Sequence, residues 1–355
     1  MNITLISRFF DSRNGGVGSV SEETLKLLKQ EKGININTLS QLDGLFNGTG
    51  NINRFYHLDY LFFSLFEMPF MLKRDKFKNT DVFHALTPIE AFYADKKRTV
   101  VTVHDLMLIT MPKMIHTGIL SKPYGIYFKK TLDKAIKSKE IICISDESAD
   151  ELSKYYGLDR NDLTVVRDPI KNNLHTIKDS KHDFKDNLKT DTYTIGTISH
   201  LNKRKRIDLL IKAFLKADIS NSQLLIGGTG NQLEPLQKIA GGDKRIKFLG
   251  YVADEDLNSF YNSLDVFVYP SIMEGYGLPI VEAMACSVPT ITLDDAYIPN
   301  DLKNRTVVTS NDNFANVLKE KHFDVDIKSN LNFVKEHSQE KIAKQLVDVY
   351  KRVEE

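Results

Sequence analysis

Two cysteines in 355 residues, Cys143 and Cys286, are too few for a disulfide framework, and both lie in apolar stretches. They read as small buried hydrophobes, not as a disulfide or a metal pair. Excess charge is also missing. The 48 Lys and Arg stand against 47 Asp and Glu, and a net charge of +1 removes the global electrostatic case for a nucleic-acid partner. The longest apolar patch, Tyr60 to Leu72, is interrupted by Glu67 and Pro69 and is too short to span a bilayer. No signal peptide is expected, because Met1-Asn2-Ile3-Thr4-Leu5-Ile6 runs straight into a strand. The expectation is a cytoplasmic protein with at most a peripheral association on the inner face of the membrane. Internal repeats and low-complexity tracts are absent as well.

What remains is a hydrophobic fraction of 41% and a charged fraction of 27%, typical of a soluble globular chain, at a length that fits two domains. Short β-branched runs alternate with amphipathic stretches, which indicates parallel sheets built from βα units. Strands are expected at Ile3–Ser7, Ile34–Leu39, Asp81–His84, Thr99–His104, Glu140–Ile144 and Leu163–Val166. A polar stretch from Lys171 to Asp191 reads as a linker. A second series comes after it at Tyr193–Ser199, Gln223–Gly227, Ile246–Leu249, Val266–Tyr269, Thr290–Leu293 and Arg305–Val308. The expected architecture is α/β: two doubly wound domains, 1–170 and 192–338, facing each other across a cleft, with ligand at the carboxyl ends of the strands. A last helix covers about Gln339 to Val353.

Residues 274–282, Glu-Gly-Tyr-Gly-Leu-Pro-Ile-Val-Glu, carry the strongest chemical signal. Pro279 suits the first position of a helix that stops before Pro289. That places Glu274 in the loop ahead of the helix and Glu282 in its first turn. Gly275 and Gly277 let backbone approach a ligand, presenting the amides of Tyr276, Gly277 and Leu278 at a helix N-terminus that suits an anion. Upstream, Lys203-Arg204-Lys205-Arg206 sits directly before an amphipathic helix whose inner face is Ile207, Leu210, Ile211 and Phe214. Cations are disfavoured at a helix N-terminus, so the placement calls for an anion such as a diphosphate.

Three weaker features complete the set. His104-Asp105 ends the strand Val100-Val101-Thr102-Val103, at the ligand face of a parallel sheet. Asn14-Gly15-Gly16-Val17-Gly18 forms a glycine loop before a helix Val20–Leu28; it is not a dinucleotide fingerprint, because Ser21 stands at the third glycine position. Ile226-Gly227-Gly228-Thr229-Gly230 and Phe248-Leu249-Gly250-Tyr251-Val252 end two further strands. No Asp-x-Asp pair lies beside the anion cradle, and the side chains of Asp294-Asp295 are expected to diverge, so no metal is expected.

The segment from Tyr269-Pro270-Ser271-Ile272-Met273-Glu274 to Met284-Ala285-Cys286-Ser287-Val288-Pro289 resembles the signature of retaining nucleotide-sugar glycosyltransferases of the GT-B fold, glycosyltransferase family 4. That signature has two glutamates separated by seven residues, with Gly-aromatic-Gly-Leu-Pro between them. The resemblance runs along nearly the whole chain and is strong in the C-terminal half. It implies two Rossmann-like domains, with helix 339–355 packing back on the first. It implies that Lys205 holds the donor diphosphate. The family's accompanying arginine falls on His200, a departure that leaves His200 or Arg204 to take its place. It further implies that His104 contacts the donor sugar, that the loop containing Gly16 lines the cleft, and that backbone near Tyr251 and Val252 meets the nucleobase. Glu282 would anchor the ribose and Glu274 would position the sugar without acting as a covalent nucleophile. Val103-His104-Asp105-Leu106 is similar to the mannosyltransferase branches, which favours GDP-mannose as donor.

Five aromatics between Tyr60 and Phe70 precede Lys73, Arg74, Lys76 and Lys78. Tyr124, Tyr127 and Phe128 stand among Lys122, Lys129, Lys130, Lys134, Lys137 and Lys139. Such stretches are either core faces with solvated lysines or surfaces for anionic membrane. The expected function is transfer of a hexose from a nucleoside-diphosphate sugar to a hydroxyl of a glycan or lipid-linked acceptor, with retention and without cofactor. The alternative is an inactive GT-B protein that binds a sugar or a partner enzyme. An NAD-dependent enzyme is disfavoured by the missing fingerprint.

Overall fold

The computed structural model describes residues 1–43, 62–110, 121–177 and 192–355, apart from the side chains of Asn14 and of residues 121–123. Tyr60 of the aromatic stretch, the Lys122 side chain and residues 178–191 of the expected linker therefore lie outside the described residues. The chain divides into two compact units, Met1–Pro169 with His337–Glu355, and Ile170–Glu336.

In the first unit, β1 (Asn2–Ile6), β2 (Asn35–Leu39), β3 (Val82–Ala85), β4 (Thr99–Val103), β5 (Glu140–Cys143) and β6 (Leu163–Val165) form one parallel sheet in the order β2-β1-β3-β4-β5-β6. Every residue of β4 is buried, as expected for a strand covered on both faces. The direction of winding reverses between β1 and β3, and such a switch point opens a crevice at the carboxyl ends of the two strands.

The second unit repeats the plan with β7 (Tyr193–Ile198), β8 (Ser222–Gly227), β9 (Ile246–Gly250), β10 (Val266–Val268), β11 (Thr290–Leu293) and β12 (Val307–Thr309). Their order is β12-β11-β10-β7-β8-β9, again all parallel, with the switch between β7 and β10. All twelve strands fall where the β-branched runs place them, to within two residues.

Four helices position the functional loops. α1 (Gly16–Leu28) comes after β1, α2 (Ile207–Ala217) after β7, and α3 (Leu278–Ala285) after β10, while α4 (Gln339–Glu354) closes the chain. In α2 the expected face is the buried one: Ile207, Leu210, Ile211 and Phe214 are all within the core. α4 opens on Ser338, whose side chain accepts from the Lys341 amide, and buries Ile342, Leu346, Val349, Tyr350 and Val353 in the first unit's core.

Three expectations need correction. α1 opens at Gly16, not Val20, so Gly16 and Gly18 form its first turn; Ser19 N–H bonds Gly15 O at 3.0 Å to close that turn. α3 opens at Leu278, one residue before Pro279, which moves Glu282 out of the first turn to the fifth helical position. Residues 171–177 are not a free connector. Lys171 Nζ pairs with Asp254 Oδ2 at 2.6 Å, and the amides of His175 and Ile177 bond the side-chain oxygens of Asn258 and Asn262 at 2.9 and 2.8 Å. Asp254, with Asn258 and Asn262 spaced by four, thus holds the segment within the second unit.

Candidate active site

At the switch point of the second sheet, the loop after β7 supplies Arg204 and Lys205 and the loop after β10 supplies Glu274. Lys205 Nζ lies 2.6 Å from Glu274 Oε1 and donates to Tyr269 Oη at 2.7 Å; Arg204 Nη1 lies 2.8 Å from the same carboxylate oxygen. Ser271 Oγ donates to that oxygen too, and Arg204 also donates to Met273 O. The lysine and glutamate side chains are only 9% and 10% exposed. Burial by itself would raise the Glu274 carboxyl, but Lys205 and Arg204 outweigh it and hold the group at about 2. Burial pushes the Lys205 ammonium down, against the pull of Glu274.

The basic run before α2 is therefore compensated within the chain. Arg206, the N-terminal cap of α2 at φ 50°, forks onto Asp295 at 2.7 and 2.8 Å and donates Nε to Pro270 O at 2.7 Å. Lys203 is exposed. His200 is exposed as well; partial burial and the charges of Lys205 and Arg204 lower its pKa, so the imidazole is neutral in the ligand-free protein and offers one N–H.

The mouth of α3 is shaped by Gly277, whose φ of 116° is available to glycine at low cost. Among the described residues, the amides of Gly275, Gly277 and Leu278 donate to no backbone carbonyl. Glu274 is fixed from behind, its own amide bonding Tyr297 O at 2.9 Å. Glu282 accepts from the buried Tyr261 hydroxyl at 2.7 Å. Both glutamates bear on Tyr269, whose hydroxyl is raised well above its usual range by burial and then by their charges. Tyr276 and Val252 are buried, whereas Tyr251 is exposed.

In the first unit, a cavity of about 320 Å³ opens at the β1/β3 switch point, and Gly16, Glu90, Arg8 and His104 all line it. His104 comes directly after β4. Its Nε2 faces Leu86 O at 2.9 Å, and its Nδ1 faces Asp168 Oδ2 at 3.5 Å. Burial would lower this imidazole, but Asp168 foremost, with Asp105, raises it to about 9. Stabilisation from such a raised group is fully present below about 6.5 and is lost as pH rises through about 9.

Tyr269, Ser271, Tyr261 and Asp168 were not singled out by sequence reasoning. Tyr269 and Ser271 stand inside the signature segment, so their signal was local. Tyr261 and Asp168 are 21 and 64 residues from their partners and carry none.

Two family models match the chain side by side: Glycosyltransferase Family 4 over residues 15–172 and Glycosyl transferases group 1 over residues 178–321. The O-antigen chain mannosyltransferase B of Escherichia coli is 29% identical over 216 residues, which are 57% of this chain and 55% of that protein. The O-antigen chain mannosyltransferase RfbU of Salmonella typhimurium is 23% identical over 215 residues, 60% of this chain and 56% of that protein. The chain thus spans about half the length of these curated relatives. Among solved structures, a sucrose-phosphate synthase from Thermosynechococcus elongatus superposes with a TM-score of 0.73 at 17% identity, covering 99% of this chain and 98% of that one. WaaG, a glycosyltransferase involved in lipopolysaccharide biosynthesis, superposes at 0.70 and 13% identity, covering 98% and 99%. At these identities the likeness shows the fold.

Proposed function

We propose that the chain, which the two glycosyltransferase models match side by side, moves a hexose, mannose favoured, from a nucleoside-diphosphate sugar to a hydroxyl of a glycan or glycolipid with retention of configuration. The observation that carries this reading is the buried Lys205–Glu274–Arg204 cluster beside the open amides of α3. A departing diphosphate would take those cations and amides, which places stabilising charge where negative charge develops. His200 or Arg204 would serve as the second phosphate contact. Glu274, ionised throughout the working range, would orient the sugar; a carboxylate held by two cations and a hydroxyl is a poor nucleophile, which fits a positioning role. Glu282, oriented by Tyr261, would take the ribose hydroxyls, with the base near Tyr251 and Val252. His104 is assigned to the transferred sugar.

Mannose is supported by the names of the relatives, mannosyltransferases that match over more than half of this chain. GDP is expected to give the largest thermal shift in a panel of GDP, UDP and ADP; a diphosphate at 100 times its Kd adds about 2.7 kcal/mol. GDP-mannose should then turn over fastest, and turnover should persist in EDTA, since Lys205, Arg204 and the α3 amides would supply the charge that a metal would bring. A larger shift and faster turnover with a UDP-sugar would overturn the donor, and loss of activity in EDTA restored by magnesium or manganese would overturn the metal-free mechanism.

A membrane-presented acceptor is also proposed, with the first unit as the docking face. Phe62, Phe66 and Phe70, spaced by four along one helical stretch, are 41%, 58% and 73% exposed, and the exposed Lys73, Arg74, Lys76 and Lys78 come next in the chain. Phe128 and Tyr127 of the second basic stretch are turned inward instead, so that stretch is a core face with solvated lysines. No helix among the described residues is long and apolar enough to cross a membrane. Sedimentation with anionic liposomes should carry the protein down at low salt and release part of it at high salt. Protein that stays in solution at low salt would rule the docking face out.

A further inference from the structure

The geometry around His104 reaches beyond sugar contact. A carbonyl oxygen only accepts hydrogen bonds, so Leu86 O at 2.9 Å requires a proton on Nε2. With Nε2 protonated, a neutral ring would aim the bare lone pair of Nδ1 at the Asp168 carboxylate 3.5 Å away. Two acceptors facing two ring nitrogens are compatible only with the doubly protonated ring.

We propose that Asp168 is a positioning residue that holds His104 as an imidazolium at neutral pH at the wall of the first-unit cavity, so that His104 acts on the reaction by fixed charge and shape and not as a proton acceptor.

The surroundings keep that assignment specific. Among the described residues, the charged and titratable groups that share a cavity wall with His104 are Arg8, Glu90, Asp105 and Tyr124 on one side and His84, Arg167 and Asp168 on the other. His84 is fully buried below it, with Nδ1 and Nε2 bonded to Tyr350 Oη at 2.7 Å and Thr102 Oγ1 at 2.9 Å. Burial first, and the charge of His104 second, hold His84 at about 3, so one ring of the two carries charge. The carboxylates nearest the charged ring are Asp168 and Asp105, and both favour its proton. Asp168 is itself fixed. It is 7% exposed, its backbone is restricted by the adjoining Pro169, and its carbonyl oxygen receives Nδ1 of the buried His337 at 2.9 Å. Pro169 is the last residue of the first unit's leading segment and His337 is the first of its returning segment. The anchor of the imidazolium therefore sits where the chain leaves and re-enters this unit.

The inference rests on the proposed role of His104 toward the sugar, but its charge can be read without turnover. Selective 15N labelling of histidine, with NMR of the ring nitrogens between pH 6 and 10, should show one ring with both nitrogens protonated at pH 8. Its midpoint should fall by at least one pH unit in Asp168→Asn and return in Asp168→Glu. A wild-type ring that is neutral at pH 8, or an unmoved midpoint in Asp168→Asn, overturns the charge assignment; the wild-type titration decides this even if a variant fails to fold. In steady-state kinetics, Asp168→Asn should lower kcat by about 10- to 100-fold, the usual effect of a misplaced reacting contact. KM for the donor should change far less, and Asp168→Glu should restore much of kcat. Undiminished kcat in Asp168→Asn with a lowered midpoint refutes the positioning role and leaves glycosyl transfer standing. Failure of the wild type to transfer any sugar would count against the functional reading and would leave the NMR result untouched.

Discussion

Replacing Glu274 by glutamine is expected to destabilise the protein by about 3–5 kcal/mol and to abolish turnover, because it strips a buried ammonium of its counter-charge. Lys205 is nearly enclosed, and among the described residues its Nζ has, apart from Glu274, the neutral hydroxyl and ring of Tyr269. Lys205→Met should be milder for stability, since Glu274 keeps Arg204 and Ser271. It should weaken nucleoside-diphosphate binding by about 10- to 150-fold, the equivalent of one lost charge-assisted hydrogen bond. The double variant Lys205→Met/Glu274→Gln separates the two roles: much of the stability should return while donor binding stays weak. Urea unfolding and calorimetric titration read the two effects independently. A Glu274→Gln protein as stable as the wild type, or a double variant with native affinity for the diphosphate, would remove the basis for this site. The sign with pH is fixed by the depressed carboxyl. Its contribution is complete above about 4.5 and disappears as pH falls through about 2, so acid should leave the cluster intact until well below pH 4.5.

The second large effect is expected at Gly228, in the loop after β8. Its φ is 115°, and a Cβ there would stand 1.8 Å from Ser199 O in the loop that carries His200 and Lys205. That oxygen belongs to backbone and has no side-chain rotamer to move. Gly228→Ala should therefore lose about 3 kcal/mol or more, from the left-handed backbone and the clash together. For a unit of this size the loss lowers Tm by about 6–12 °C. The same push displaces the loop proposed to hold the donor phosphates, so donor affinity should fall with stability. Differential scanning calorimetry and donor titration on the same preparation test this, and an alanine variant with native Tm and affinity would show that the loops are not locked together at this point.

Much of this molecule was written locally. Strands such as Thr99–Val103 are unbroken β-branched runs, and a parallel strand buried on both faces needs little more than that. The start of α3 was legible to within one residue because Gly277 and Pro279 each have a narrow conformational use, and the apolar face of α2 because its spacing repeats at 3.6 residues. The signature from Tyr269 to Pro289 pointed to the mouth of α3, the proposed anion site, because a helix N-terminus is a local object. The partners of the charges were not legible. The basic run before α2 called for an anion, and a bound diphosphate was the natural candidate, yet the fold answers it with Glu274 and Asp295, 69 and 89 residues downstream. That pairing depends on β7 lying beside β10, and sheet order is a property of the whole unit. Likewise His104 carries no sequence mark of its charge state, which is set by Asp168 from the segment after β6 and a carbonyl oxygen from the segment after β3, brought to its two nitrogens by the order of the sheet. Backbone propensity and hydrophobic period act over a few residues and can be read along the chain; hydrogen-bond partners and titration depend on which distant groups share a buried space, and only the tertiary structure decides that.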